Sequence, residues 1–301
     1  NKKEIIPRNY QKRAIDYWFN NDCKGILEMA TGTGKTYTSL LAVKKYIQKK
    51  PGKNLLIVCC PYQHLVDQWE ESIKDIFGDI RIIKAYENIN YWYNNLVLMI
   101  QNLIFKNKDF GVVITTSTTG SKKEFINLTN TKKINKIVIC DEVHNVGSEH
   151  NKKFLQINAT ARMGLSATPI RPYDEEGNQA IQDYFGASNN IIDINKAIDK
   201  GFLVNYKYHL SFCLLDHEEY KDYRRISNNI AKLYYKNEDV NEDRLLSFLI
   251  RRARIVSTCQ EKLIKFRQIL RELDNKSNLL VYTAEDPEFF DDTLRILQEE
   301  N

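Results

Sequence analysis

The stretch Gly25-Ile26-Leu27-Glu28-Met29-Ala30-Thr31-Gly32-Thr33-Gly34-Lys35-Thr36 decides the fold. Its apolar start predicts a strand over Gly25–Glu28, and the spacing of Thr36–Lys49 predicts a helix. A glycine-rich turn between a buried strand and a helix is the setting a phosphate-binding loop needs. Glycines let the backbone wrap a phosphate so that successive N–H groups point inward. The helix N-terminus adds a partial positive charge. In such a loop Lys35 reaches the β- and γ-phosphates and the Thr36 hydroxyl ligates Mg²⁺. The expected ligand of Ala30–Thr36 is therefore ATP or ADP with Mg²⁺, cradled by Thr31, Gly32, Thr33 and Gly34. One departure stands out: Met29 occupies the place of the first glycine in the general pattern.

Outward from this loop, short apolar runs alternate with helical patterns. Leu55–Cys60, Arg81–Lys84, Val112–Thr115, Lys136–Cys140 and Met163–Ser166 are nearly continuous in apolar character, and His64–Phe77 has helical spacing. Continuous rather than alternating runs mark strands buried on both faces, as in a parallel sheet covered by helices. The fold class expected for residues 1–205 is thus a doubly wound α/β domain. Residues 206–275 read as a mainly helical linker: Asp216 to Leu273 lacks Gly and Pro, and Ala253, Val256, Leu263, Phe266 and Leu270 fall on one stripe. After the turn-like Asp274–Ser277, the run Asn278–Thr283 reads as a strand and 287–300 as its helix. Residues 276–301 are expected to begin a second α/β domain that stops almost at once.

Two further segments carry chemistry. Ile137-Val138-Ile139-Cys140-Asp141-Glu142-Val143-His144 is an apolar strand that ends in adjacent carboxylates. At the end of a parallel strand they point into the crevice where ligands of α/β sheets bind. Asp141 is suited to hold Mg²⁺, and Glu142 to orient or deprotonate a water; Glu28 is the alternative carboxylate. Gly164-Leu165-Ser166-Ala167-Thr168-Pro169-Ile170-Arg171 is a strand ending in a polar turn.

In this order and at this spacing the three segments resemble motifs I, II and III of the superfamily 2 helicases. The wording is closest to the type III restriction subunit branch, which also contains repair and phage-defence helicases. His144 separates the acidic box from that of the Asp-Glu-Ala-Asp RNA helicases. The resemblance implies a RecA-like domain and a role for His144, Ser166 and Thr168 in coupling the nucleotide to movement. Arg8-Asn9-Tyr10-Gln11-Lys12 resembles the segment that binds adenine, with Arg8 and Gln11 at the base. Pro61 to Trp69 matches motif Ia, so Pro61, His64 and Gln68 are expected on a nucleic-acid backbone, as are Thr115 and Thr116 by a looser match to motif Ib. The family completes its ATP site with arginines of a Gln-x-x-Gly-Arg-x-x-Arg segment, and no such segment occurs. The 301 residues are accordingly expected to be a fragment with weak or absent turnover.

Composition bounds these expectations loosely. Hydrophobic residues make up 43% and charged residues 28%, which is ordinary for a globular chain. Forty-four Lys and Arg against 39 Asp and Glu leave +5, which permits a nucleic-acid partner without arguing for one. Lys122-Lys123, Lys132-Lys133-Lys136 and Arg251-Arg252-Arg254 can each touch phosphates or form a solvated face. The six cysteines contain no CxxC pair, and Cys59, Cys60 and Cys140 lie in apolar runs, which points to core positions and a reducing cytoplasm. The apolar runs are too short to span a bilayer. The expectation is an ATP-dependent DNA helicase or translocase serving restriction, repair or defence, with a nuclease or other domain attached. An RNA helicase and a nucleotide-gated scaffold that binds nucleic acid without unwinding stay open.

Overall fold

Seven strands join in one sheet, and every pair of neighbours runs parallel. The computed structural model describes residues 5–105, 109–235 and 242–300. The chain divides into two compact units, Asn1–Asn205 and Tyr206–Asn301. The first contains α1 (Asn9–Asn20), β1 (Lys24–Met29), α2 (Lys35–Lys49), β2 (Asn54–Cys60), α3 (His64–Phe77), β3 (Ile82–Ala85), α4 (Ile89–Phe105), β4 (Phe110–Thr116) and α5 (Ser117–Gly120). It continues with α6 (Lys123–Thr129), β5 (Asn135–Asp141), β6 (Ala161–Ser166), α7 (Glu175–Phe185), β7 (Ser188–Ile192) and α8 (Ile194–Asp199). Two single 3₁₀ turns, Val143–Gly147 and Lys152–Gln156, bridge β5 and β6.

The strand order is β3-β4-β2-β5-β6-β1-β7. All seven residues of β2 are buried, because strands pair on both sides and helices cover both faces. Two apolar clusters result, one on each face of the sheet. Leu27, Leu56, Ile139 and Met163 face the first, under α1, α2 and α3; Ile57, Val113, Val138 and Cys140 face the second, under α4, α6 and α7. α3 shows how the helices fit: Val66, Trp69, Ile73 and Ile76 form its buried stripe. Gly78, at φ +86°, closes it.

The six expected strands all form: five are extended by one to three residues, and the one expected at Arg81–Lys84 is shifted by one residue to Ile82–Ala85. The sequence reading passed over β7. Its residues Ser188-Asn189-Asn190 are polar, as an edge strand tolerates, and only Ile192 is buried. Cys59, Cys60 and Cys140 are fully buried, as expected, and burial pushes the Cys60 thiol well up.

In the second unit the described helices are α9 (His217–Tyr235), α10 (Glu242–Ser257), α11 (Gln260–Glu272) and α12 (Pro287–Glu299). Asp216 and Glu219 cap α9 reciprocally. Two expectations change here. The stripe from Ala253 to Leu270 is not one helix, because the chain breaks at Thr258-Cys259 between α10 and α11. Leu279–Thr283 forms no strand: Leu280 is 74% and Tyr282 89% exposed, and no described strand lies beside them to accept their backbone hydrogen bonds. α12 instead packs on α11, where Leu263, Leu270, Phe289 and Ile296 share a small core. No helix of the described residues is long and apolar enough to cross a membrane.

Candidate functional site

The sheet topology brings the three chemistry-bearing segments together. β5, β6 and β1 are adjacent, and the register sets Asp141 beside Leu165 and Glu28 beside Ser166. The phosphate-type loop, the acidic pair and the Ser-Ala-Thr turn therefore leave the same C-terminal edge side by side. The nucleic-acid candidates leave the ends of β2 and β4, on the other half of that edge.

The loop Ala30–Gly34 passes into α2 through Gly34 in a left-handed conformation. Gly32 and Gly34 have φ of +79° and +82°, and a Cβ on either would meet a neighbour at 2.9 and 2.8 Å. Both positions require glycine. Met29 does not: its φ is not positive, and its side chain is fully buried in the core beneath the loop. That is why the departure from the general pattern costs nothing here. The loop is braced from inside, since Thr33 Oγ1 donates to the Ala30 carbonyl at 2.6 Å and Thr38 Oγ1 to the Gly34 carbonyl at 2.9 Å. α1 braces it from outside: the Tyr10 hydroxyl donates to the Thr33 carbonyl at 2.7 Å. Gln11 is 8% exposed. Its Oε1 accepts from the Arg8 N–H at 2.8 Å, and its Nε2 donates to the carbonyls of Thr33 and Gly34 at 3.5 Å. Gln11 thus ties the α1 cap to the loop, while Arg8 is exposed.

Lys35 Nζ lies 3.0 Å from Glu142 Oε1, a half-buried ion pair across 107 residues of sequence. The Thr36 hydroxyl sits on the first turn of α2 and makes no hydrogen bond to another described residue. Glu142 holds a left-handed backbone, φ +44° and ψ 59°, rare for a non-glycine residue and a cost of about 1–3 kcal/mol. Asn145 sustains it by donating from its backbone and its Nδ2 to the Glu142 carbonyl. Ser166, fully buried, donates to Glu142 Oε2 at 3.0 Å and accepts from the Thr168 N–H at 3.1 Å. His144 Nδ1 is 3.3 Å from Ser166 Oγ, and its Nε2 is 3.2 Å from Asn145 Nδ2. Since Asn145 Nδ2 can only donate, neutral His144 carries its proton on Nδ1. Burial pushes the Asp141 carboxyl above the usual carboxylate range, against the Trp69 indole N–H that donates to Oδ2 at 3.0 Å and the nearby Lys35.

Residues that the sequence reading missed complete this network. Trp69, Asn145 and Arg171 belong to it: Arg171 Nη1 donates to the His144 carbonyl at 2.7 Å, and its Nε pairs with Asp174 at 2.6 Å. Trp69 and Arg171 lie inside the quoted motifs, but nothing in their spacing reveals these partners. Glu28, the alternative carboxylate, accepts from the Ser188 hydroxyl of the neighbouring strand.

Of the nucleic-acid candidates, His64 and Gln68 are exposed on α3, Pro61 lies just before them, and the His64 ring stacks on Tyr62 at 5.6 Å. Thr115 and Thr116 require correction. Thr115 is fully buried and donates to the Ala85 carbonyl at 2.9 Å; Thr116 caps the next turn by accepting from the Thr119 N–H. Neither hydroxyl faces solvent. The exposed surface nearby is a groove of about 510 Å³ whose lining includes Thr118, Lys122, Lys123, His150 and Lys153.

The chain is 25% identical over 209 residues to the type I restriction enzyme EcoAI endonuclease subunit of Escherichia coli, covering 67% of this chain and 24% of that one. It therefore spans about a quarter of the length of this curated relative. The type ISP restriction-modification enzyme LlaBIII bound to DNA superposes with a TM-score of 0.60 at 16% identity, over 99% of this chain and 22% of that one. A nuclease-deletion mutant of the type ISP enzyme LlaGI, in complex with a DNA substrate mimic, gives 0.51 at 17% identity, over 98% and 29%. At such identities these two speak for the fold, a RecA-like parallel sheet with flanking helices. Residues 4–171, more than half of the chain, match the type III restriction enzyme res subunit, and the chain belongs to that family.

Proposed function

We propose that the chain binds ATP with Mg²⁺ and hydrolyses it to move on or remodel DNA, as part of a restriction, repair or defence system. The observation that carries this reading is the convergence on Glu142: Lys35 at 3.0 Å on one oxygen, Ser166 at 3.0 Å on the other. A triphosphate drawn into the loop offers Lys35 a stronger partner than one carboxylate, because it presents several anionic oxygens. Lys35 then moves to the β- and γ-phosphates and releases Glu142 Oε1 to accept a proton from the attacking water. Ser166 and His144 keep the carboxylate aimed while this happens, and any shift of the Ser-Ala-Thr turn reaches Glu142 directly. The donor set suits Mg²⁺: the Thr36 hydroxyl and the Asp141 carboxylate are hard oxygen ligands, few in number, as that ion prefers when water and phosphate complete its shell. When bound, the ion neutralises charge on the transferring phosphoryl group.

The DNA reading draws support from the two type ISP relatives, which are described bound to DNA or to a DNA substrate mimic. The backbone would track along Pro61, His64 and Gln68 and over the groove of Lys122, Lys123 and Lys153, in place of Thr115 and Thr116. Turnover by these 301 residues is expected to be slow, since they contain no Gln-x-x-Gly-Arg-x-x-Arg segment to supply an arginine finger. Nucleotide binding to wild type and Lys35→Ala tests the core of the proposal. A clear loss of affinity for ATP with Mg²⁺ is expected; equal affinity in both removes the site assignment.

A further inference from the structure

α3 sorts its residues by the helical period. Val66, Trp69, Ile73 and Ile76 fall on its buried stripe, while His64 and Gln68 fall on its exposed face. Trp69 is 2% exposed and is held by close packing in the cluster under α1, α2 and α3. A buried indole still carries one N–H, and that donor needs a partner. Two tryptophans of this cluster find theirs in different ways. Trp18 Nε1 donates to the backbone carbonyl of Arg162 at 2.8 Å, near the N-terminal end of β6. Trp69 Nε1 donates to Asp141 Oδ2 at 3.0 Å, a bond between side chains across 72 residues of sequence, at the C-terminal end of β5.

Asp141 has a second donor, the Glu142 N–H, which reaches Oδ1 at 3.1 Å. That bond lies within the turn to which Asp141 belongs, so by itself it lets the carboxylate follow the turn. The indole ties the other oxygen to a different element of the fold. An indole N–H is a donor without charge. It aims Oδ2 without competing for it as a cation would, and each carboxylate oxygen keeps a lone pair for Mg²⁺ or for a water of its shell. Lys35, the nearby cation, is turned to Glu142 at 3.0 Å. We infer that Trp69 is a positioning residue of the metal site: its indole N–H fixes the Asp141 carboxylate in the orientation that takes Mg²⁺. The inference rests on the proposed Mg-ATP site. Because α3 also presents His64 and Gln68 outward, one helix sets both the metal ligand and the residues proposed to meet DNA.

Calorimetric titration of the chain with ADP, once in EDTA and once in saturating Mg²⁺, tests this, because only the second engages Asp141. Trp69→Phe keeps a buried ring and removes the N–H. It is expected to leave ADP affinity in EDTA unchanged and to weaken Mg-ADP by about tenfold, the low end for losing a group that orients a metal's ligand. Replacing Trp69 with benzothienylalanine, which keeps the bicyclic shape with sulfur in place of the N–H, is expected to do the same even if Phe loosens the core. Trp18→Phe, the matched loss of an indole N–H in the same cluster, is expected to change neither affinity. Wild-type Mg-ADP affinity in the benzothienylalanine variant, beside a loss in Asp141→Asn, overturns the inference and leaves the metal site standing. Equal weakening of that variant in EDTA and in Mg²⁺, or the same weakening in Trp18→Phe, also overturns it, because packing and not the N–H would then be responsible. No effect of Asp141→Asn on Mg-ADP removes the metal reading and this inference with it.

Discussion

The two compact units differ in whether their apolar runs find partners. In β2 the sequence Leu55–Cys60 is wholly buried, with Leu56 paired to Val112 on one side and Ile137 on the other. In the second unit Leu279, Leu280 and Tyr282 form a comparable run, yet all three are exposed. Tyr206, Tyr208, Leu210 and Phe212 repeat the pattern, apolar at every second position and exposed at each. The lesson is that an apolar run becomes a strand only where flanking strands accept its backbone groups. The units also differ in chemistry: Lys35, Asp141, Glu142 and Ser166 all belong to the first, on three adjacent strand ends.

The largest expected effect tests that concentration of chemistry. Glu142→Gln keeps shape and removes charge, so ATP turnover with DNA present should fall by about 10²–10⁴-fold, the range for losing a general base. Nucleotide affinity should survive. Retained turnover in a single-turnover assay would break the assignment and direct attention to another carboxylate. The next effect tests the packing contrast itself. Phe185→Ala opens a hole in the second cluster and should cost about 3–5 kcal/mol in denaturant unfolding. Leu280→Ala, at a site 74% exposed, should change stability by no more than about 0.5 kcal/mol. Similar losses at both positions would erase the distinction between the units. The smallest effect sharpens where DNA runs. Changing Lys122, Lys123 and Lys153 together to Ala should reduce the slope of log affinity against log salt by about 0.9 for each DNA phosphate that is no longer neutralised. Arg251→Ala, in the second unit, should leave that slope as it is. A slope unchanged by the three lysines would take the groove out of the DNA path.

Much of the site could be read before any coordinates, for a physical reason. A phosphate loop needs glycines at set positions, a lysine and a hydroxyl in consecutive residues, and an acidic pair needs only a strand to project it. Such requirements are local, so Gly32, Gly34, Lys35, Thr36, Asp141 and Glu142 announce themselves in the chain, as do the buried strands by their unbroken apolar runs. What depends on neighbours across the fold is silent there. Thr115 and Thr116 look like polar surface residues until β3 supplies the Ala85 carbonyl and the next turn supplies an N–H to cap. Gln11 looks free until the loop carbonyls engage it, and Leu279–Thr283 looks like a strand until its flanks prove empty of partners. The sequence by itself determined the family, the parallel sheet and the residues proposed to meet a phosphate. Only the tertiary structure decided which polar groups were already spent on one another, because hydrogen-bond partners come from distant segments that no local pattern specifies.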